Sequence, residues 1–148
     1  MKINNVKIRK VIENDMFTVY EQICLLEELT FNINTFENIF NHNMKDENVL
    51  YYLAESYEGE ALGFISCHIQ HLLHHSGKVA EIQELFVRQE NRAEGVGQAL
   101  VKFVEQELIV LNCNSFEVTA QNKRIQTHDF YKKMGFHQTH LKYTKAIT

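Results

Sequence analysis

The stretch RAEGVGQALVKFV, residues 92–104, places two glycines one residue apart at the start of an apolar helical repeat. Gly95 and Gly97 follow a strand-like segment and fall in the first turn of the predicted helix. Backbone N–H groups in such a turn lack helical partners and point along the positive end of the helix dipole. Arg92 adds a positive charge that can bind phosphate oxygens bidentately. The stretch therefore predicts an anion site, with a plain tight turn as the alternative.

Two familiar phosphate-binding loops are excluded by the residues that follow these glycines. A Walker loop requires Gly-Lys followed by Ser or Thr, and that sequence is absent here. The dinucleotide fingerprint G-x-G-x-x-G requires a third glycine, but Leu100 occupies its position. Another class of phosphate-bearing ligand must therefore be considered.

Length and composition indicate one globular domain over residues 1–148. Hydrophobic residues make up 45% of the chain and charged residues 23%, as in an ordinary globular protein. No stretch is long and apolar enough for a membrane span, and the N-terminus lacks the apolar core of a signal peptide. The three cysteines are odd in number and widely spaced, which argues against a disulfide framework. These features predict a cytoplasmic protein without membrane association.

The charge pattern argues against nucleic acid as a partner. The net charge is −4, and the lysines and arginines are scattered along the chain. A nucleic-acid surface needs clustered cations that displace phosphate counterions. No such cluster is visible.

Hydrophobic periodicity predicts alternating groups of strands and helices. The predicted strands are 6–11, 49–57, 61–69, 79–87, 115–120 and 136–147, the last as one strand or a pair, and the predicted helices are 13–30, 35–46, 95–111 and 124–134. Thr35 is the expected N-cap of the second helix, Gly135 the expected stop of the fourth, and 70–78 a connection. This order indicates an α+β fold with a mixed sheet.

Two segments together resemble the GNAT N-acetyltransferases. LFVRQENRAEGVG (85–97) resembles the acetyl-coenzyme A motif of that family, and FYKKMGF (130–136) resembles its second signature. The predicted element order agrees with the family over essentially the whole chain. The resemblance implies a GNAT acyl-CoA N-acyltransferase fold with a central, mostly antiparallel sheet flanked by helices. It also implies acetyl-CoA as cosubstrate.

The resemblance assigns the cofactor-binding residues to two short segments. It implies that the backbone of Leu85, Phe86 and Val87 hydrogen-bonds pantetheine and the thioester oxygen like an added strand. It implies that the pyrophosphate is held by the loop and first helical turn, namely Arg92, Ala93, Glu94, Gly95, Val96, Gly97 and Gln98. Ala93 occupies a position at which the family often has glycine. The side chains of Val96 and Leu100 are expected in the core.

Acetylation of an amine requires a base and a proton donor. Neutralising an alkylammonium of pKa about 10.4 at pH 7 costs roughly 4.6 kcal/mol, so a carboxylate that accepts the proton is valuable. Glu84, on the strand that approaches the thioester in this family, is the candidate base. Glu81 is the weaker candidate, because residues three apart face opposite sides of a regular strand unless a bulge intervenes. By resemblance Tyr131 protonates the departing thiolate; the alternative is a core tyrosine packed beside Phe130 and Phe136.

Within GNAT the chain resembles the aminoalkylphosphonate N-acetyltransferases. The shared features include the histidine-rich segment around residues 68–75, the carboxylates near residue 84 and the Lys123-Arg124 pair. The resemblance implies direct attack by the amine in a ternary complex, with no acetyl-enzyme, so Cys67 and Cys113 are interpreted as structural. His68, His74 or His128, with Lys123 and Arg124, are candidates for holding the anionic group of the substrate.

Metal binding, the acceptor and oligomeric state are left open. His68, His71, His74 and His75 have a spacing that could bind a divalent metal, and the resemblance to phosphonate-modifying enzymes adds some support, but loop histidines are more often solvated. An aminoglycoside, a polyamine or a peptide amine is the alternative acceptor. A non-catalytic acyl-CoA-binding regulatory module is the second alternative. A homodimer is the expected assembly if the chain pairs as small GNAT relatives do.

Overall fold

The computed structural model describes residues 6–122 and 124–148. Its strands are β1 (Val6–Lys10), β2 (Val49–Ser56), β3 (Ala61–Leu72), β4 (Gly77–Val87) and β5 (Ser115–Val118). Its helices are α1 (Met16–Glu27), α2 (Ile33–Met44), α3 (Val96–Val110) and α4 (Ile125–Lys133). The strands form one sheet in chain order, β1 to β4 antiparallel and β5 parallel to β4. No helix in the described part of the chain has the length and apolar character that a membrane crossing requires.

Helices cover both faces of this sheet. On one face, α3 buries Val96, Leu100 and Val104 against Ile65 and other sheet residues. On the opposite face, α1 and α2 enclose a second cluster that contains Phe64. Because side chains alternate along a strand, each central strand contributes to both clusters. The predicted α+β fold with a mostly antiparallel sheet is confirmed.

Two predicted boundaries are wrong. The N-cap of α2 is Asn32, not Thr35: the Asn32 side chain accepts a hydrogen bond from the Thr35 N–H at 3.0 Å, so the helix begins at Ile33. The predicted connection 70–78 is largely strand, because β3 and β4 stay paired out to Leu72 and Gly77 and leave only a short 3₁₀ turn between them.

The predicted final strand, 136–147, is also wrong. The described chain has no strand after α4, which ends as expected before Gly135 in the left-handed conformation, at φ +96°. Residues 137–148 are exposed throughout. The alternation of apolar and polar residues fits a strand, but a strand also needs a neighbouring strand with which to pair. Among the described strands, none pairs with residues 137–148.

β4 carries the two irregularities that form the site. Ser66 of β3 lies opposite Glu84, whereas the next residue, Cys67, lies opposite Ile82, so Gln83 is an extra residue in a β-bulge. β5 pairs with β4 only as far as Ile82. β5 ends at that point, at Val118, and no other described strand pairs with the outer edge of β4 beyond Ile82.

Candidate active site

The open edge of β4 is the first element of the candidate site. Residues 84–87 pair with β3 on one side, and among the described strands none pairs with their other side. The backbone groups on that side can therefore bind an extended ligand in the manner of strand addition, apart from the Val87 carbonyl, which already accepts a hydrogen bond from Arg92. This edge contains the residues whose backbone is predicted to bind pantetheine, namely Leu85, Phe86 and Val87.

The loop between β4 and α3 brings the predicted phosphate-binding residues to the end of the same edge. Arg92, Ala93, Gly95 and Gln98 are exposed, whereas the Val96 side chain is buried in the core as expected. Val96 can therefore offer only its backbone to a ligand. The first-turn N–H groups of α3 have no helical acceptors and point toward the loop.

Two charged side chains of this loop are already engaged. The Arg92 Nε donates a hydrogen bond to the Val87 carbonyl at 3.1 Å, which holds its guanidinium at the end of β4. The Glu94 Oε1 accepts a hydrogen bond from the Asn91 side-chain amide at 3.3 Å. Arg92 keeps further donors for an anion, and Glu94 is held by its neighbour.

Ala93 and Gly95 both adopt left-handed backbone conformations, with φ +65° and +91°. The conformation explains why glycine suits the position of Ala93, since a Cβ in the left-handed region costs about 1–2 kcal/mol. Nothing lies within 4 Å of a Cβ built at Gly95, so the backbone angle and not space favours glycine there.

Replacing Ala93 by glycine is expected to raise the free energy of unfolding by about 0.5 kcal/mol. Relief of the left-handed strain exceeds the additional chain entropy that glycine brings to the unfolded state. Urea denaturation of both proteins measures the difference. The matched control is Gly95→Ala, which should lower stability by about 1 kcal/mol or more. A loss of stability in Ala93→Gly contradicts the strained conformation.

The bulge in β4 turns Glu81 and Glu84 to the same face of the sheet. Glu84 lies opposite Ser66, and Glu81 lies opposite His68, two residues further along β3. Partners directly opposite each other point to the same side, as do residues two apart on one strand. The bulge that such an arrangement requires is therefore present, and both carboxylates lie on one face of the sheet.

Each carboxylate has a hydroxyl partner. The buried Ser66 Oγ donates a hydrogen bond to Glu84 Oε1 and accepts one from the Glu84 N–H at 3.0 Å. The Thr119 Oγ1, just beyond β5, donates to Glu81 Oε2 at 2.9 Å. Ser66 thus fixes Glu84 from within the sheet, whereas Glu81 is held from the more exposed β5 side.

Tyr51 of β2 is a site residue that sequence reasoning missed. It lies opposite Ser66, which extends the row of Ser66 and Glu84 across a third strand. Its Oη accepts a hydrogen bond from the Asn43 side-chain amide at 2.6 Å, so its own proton remains free to be donated. Burial raises the pKa of Tyr51, the Asn43 hydrogen bond lowers it, and the negative charge of Glu84 raises it. Strand alternation could have placed Tyr51 on this face, but Asn43 comes from α2.

Tyr131 lies on the other face of the sheet, in the cluster under α3 that also contacts Leu85 and Val87. Its ring packs edge-on between Phe130 and Phe136, with centroid distances of 5.1 and 5.5 Å. Burial raises the pKa of its phenol to about 12, so Tyr131 is protonated at neutral pH. Its hydroxyl makes no hydrogen bond with the described residues. Glu84 and Tyr131 therefore approach β4 from opposite faces of the sheet.

The histidines do not gather into one cluster. His68 and His71 both belong to β3 but, being three apart, face opposite sides of the sheet. The rings of His74 and His75 are 4.5 Å apart in the turn beyond, where His75 Nε2 lies 3.8 Å from Glu117. Within residues 6–122 and 124–148, no group of three or more potential metal ligands is present.

Two of the proposed anion-binding residues, His128 and Arg124, lie on or next to α4. His128 is engaged elsewhere, because its Nε2 donates to the Gln121 carbonyl at 2.7 Å. Arg124 precedes α4 as an exposed residue. Lys123 lies outside the described residues.

Comparison with known proteins identifies the class. The model of the acetyltransferase (GNAT) family matches residues 12–136. An aminoalkylphosphonate N-acetyltransferase from Salmonella typhimurium strain LT2 is 35% identical over 141 residues, which cover 95% of this chain and 91% of that protein. An aminoglycoside antibiotic 6'-N-acetyltransferase from Acinetobacter baumannii superposes with a TM-score of 0.83 at 21% identity, covering 97% of this chain and 99% of the other. A transcriptional regulator from Bacillus halodurans C-125 superposes with a TM-score of 0.86 at 19% identity, covering 96% and 99%.

The chain therefore belongs to the acetyltransferase (GNAT) family. It is an acetyl-CoA-dependent N-acetyltransferase, which transfers an acetyl group to an amine. The open edge of β4 and the glycine-containing start of α3 fit such a cosubstrate, since one offers backbone hydrogen bonds to an extended arm and the other unpaired amides to phosphates.

Proposed function

We propose that this enzyme acetylates the primary amine of a small aminoalkylphosphonate. The observation that carries the proposal is the 35% identity to an aminoalkylphosphonate N-acetyltransferase over 95% of the chain. At that coverage the match includes α1 and α2 as well as β4 and α3.

The proposed reaction is direct transfer between the two bound substrates. Glu84 accepts a proton from the substrate ammonium, directly or through one water, and thereby frees the nitrogen lone pair. The nitrogen then bonds to the acetyl carbon as the carbon–sulfur bond breaks, and Tyr131 donates its proton to the departing sulfur. The second proton that the nitrogen loses as the amide forms restores Tyr131 through solvent, and Glu84 releases its proton to water. Backbone groups of residues 85–87 hold the thioester beside the amine and stabilise charge on its oxygen.

Thiol release from acetyl-CoA with a panel of amines tests the substrate class. We expect kcat/KM for aminoalkylphosphonates to exceed that for aminoglycosides, polyamines and peptide amines by at least tenfold, a difference of about 1.4 kcal/mol in transition-state stabilisation. Each amine is paired with an analogue in which a hydroxyl replaces the phosphonate. Faster turnover of a polycationic amine would overturn the assignment.

A polycationic acceptor is the second candidate, because the face of the sheet that carries Glu84 is acidic. Glu117 of β5 lies opposite Glu81 in the parallel pairing, so Glu81, Glu84 and Glu117 share one face of the sheet. Such a surface attracts amines with several positive charges. The same panel distinguishes the candidates, and acyl-CoA binding without turnover of any amine would favour a regulatory module.

Three remaining features belong to the same proposal. A divalent metal could be held by His68 and Glu81, which face each other across β3 and β4. Activity assays with and without a chelator test whether this pair binds a metal that the reaction needs.

We propose the cytoplasm as the site of action, which suits a protein whose three cysteines are free. We also propose that the enzyme works as a homodimer.

Replacing Gly97 by alanine is expected to stabilise the protein but to weaken its binding of acetyl-CoA. A Cβ built there lies 3.4 Å from Phe130 Cζ and 3.6 Å from Val87 Cγ2, which are ordinary contacts. Since alanine favours a helix by about 1 kcal/mol over glycine, the free energy of unfolding should rise. The Kd for acetyl-CoA should nevertheless increase about tenfold, because the methyl group keeps phosphate oxygens from the backbone amides. Denaturation and calorimetric titration measure the two effects, and an unchanged Kd would contradict the phosphate site.

A further inference from the structure

Gln22 of α1 is a buried polar residue to which the proposed reaction gives no part. Its side chain is 1% exposed, and its buried neighbours on the same side of α1, Val19 and Ile23, are apolar. Neither its Oε1 nor its Nε2 has a hydrogen-bond partner among the described residues. An unpaired buried amide destabilises a folded chain, because the group has lost its hydrogen bonds to water without replacement. Packing alone would therefore favour an apolar side chain at this position.

α1 packs on the face of the sheet that carries Glu84. The two apolar neighbours of Gln22 belong to the cluster that contains Phe64 of β3, and α1 contacts both β3 and β4. Phe64 and Ser66 are two residues apart and point to the same side, and Ser66 lies opposite Glu84. Two residues along a strand span about 7 Å, a distance that a small bound molecule can bridge. Gln22 and Glu84 therefore belong to the same side of the sheet, within reach of one small ligand.

The chemistry of the unpaired amide suits the acceptor of the reaction. Once Glu84 has accepted a proton, the amine must be held by its remaining N–H groups while its lone pair faces the acetyl carbon. An amide oxygen accepts a hydrogen bond from an ammonium or from a neutral amine, and it does not compete for the proton because it does not ionise. The Nε2 of the same amide is a donor for an oxygen of the acceptor. A phosphonate oxygen in that place rests on the proposed function, whereas the contact to nitrogen needs only an amine.

We propose that Gln22 is an acceptor-binding residue, whose Oε1 accepts a hydrogen bond from the amine while Glu84 takes its proton. The side chain of glutamine has three rotatable bonds, and that of Gln22 makes no hydrogen bond with the described residues that would have to break first. It can therefore turn from its enclosed position toward Glu84 when the acceptor enters. The hydrogen bond to the acceptor then replaces the unfavourable unpaired state, which makes binding more favourable.

Gln22→Met tests the proposal, since methionine keeps an unbranched side chain of similar length and helix propensity and removes both polar atoms. For the amine that the panel turns over fastest, kcat/KM should fall by about tenfold or more, with the KM for acetyl-CoA unchanged. The Tm should rise by about 3 °C, because an unpaired amide is no longer buried. Gln106→Met, at an exposed position of α3, is the matched control and should change none of these quantities.

The side-chain amide of Gln22 also reports binding directly. In a proton–nitrogen correlation spectrum, its NH₂ signals are the pair that disappears in Gln22→Met. These signals should shift when the amine is added together with coenzyme A, which carries no acetyl group and cannot react. Coenzyme A alone should leave them in place.

Three results would overturn the proposal. A lower Tm in Gln22→Met would mean that the amide has a structural partner, such as a buried water. An unchanged kcat/KM, or amide signals that the amine does not shift, would mean that Gln22 does not contact the acceptor. A higher KM for acetyl-CoA would assign the amide to the cosubstrate instead. The amine used is the one turned over fastest, whatever its class, so a wrong assignment of the phosphonate substrate would leave these results unaffected.

Discussion

Tyr131→Phe is expected to lower kcat by about 10²-fold or more, with little change in the free energy of unfolding. The phenol is the proposed donor to the departing thiolate, and a positioned general acid contributes about 10²- to 10⁴-fold. Phenylalanine keeps the ring that packs between Phe130 and Phe136, so only the hydroxyl is lost. Stopped-flow or steady-state thiol release measures kcat, and thermal unfolding measures stability.

The dependence of kcat on pH provides a second test of the role of Tyr131. Because burial raises the pKa of Tyr131 to about 12, the donor stays protonated throughout the range from neutral pH to pH 10. Wild type and Tyr131→Phe should therefore show parallel profiles in that range, differing in height and not in shape. Tyr57→Phe, which removes the hydroxyl of an exposed tyrosine, is the matched control and should retain full activity. An unchanged kcat in Tyr131→Phe would make Tyr131 a packing residue only.

Glu84→Gln is expected to lower kcat/KM by about 10²-fold at pH 7, the lower range for loss of a general base. Glutamine preserves size and the hydrogen bond from Ser66 but cannot accept the proton of the ammonium. The loss should shrink as pH rises, because an amine of pKa about 10.4 becomes tenfold more deprotonated with each pH unit below that value. A pH series of initial rates from pH 7 to pH 10 measures this recovery.

Glu81→Gln is the matched comparison, since the bulge places both carboxylates on one face. Glu84 is buttressed by the buried Ser66 and adjoins the open edge of β4, whereas Glu81 is held by Thr119 at the β5 side. We therefore expect the smaller loss in Glu81→Gln, without recovery at high pH. The reverse order would transfer the role of base to Glu81.

The cofactor half of the site could be predicted from sequence because its determinants are local. The strand preceding the loop, the left-handed Gly95 and the apolar repeat of α3 lie within one continuous segment, and the start of α3 was predicted to within one residue. Glycine and helical periodicity report backbone geometry directly. The roles of Arg92 and its neighbours toward acetyl-CoA remain predictions.

The acceptor half could not be predicted because it depends on relations between strands. The bulge at Gln83 is a property of the pairing between β3 and β4, and the residue types at that position do not predict it. The Asn43–Tyr51 hydrogen bond joins a helix to a strand whose mutual placement is set by packing. Residues 136–147 show the converse: their alternation predicts a strand, but the described chain forms none there, because pairing depends on a neighbour that the pattern does not specify.

The extra residue in β4 determines which side chains accompany Glu84 without changing the edge proposed to receive the acetyl donor. If Gln83 instead paired regularly opposite Cys67, the pairing of β3 with residues 84–87 would be unaffected, while every residue from 77 to 82 would exchange sides of the sheet. The face that carries Glu84 would then lose Glu81 and gain the apolar side chain of Ile82. Deletion of Gln83 would keep Glu81 and Glu84 together, because residues two apart on a regular strand point to the same side.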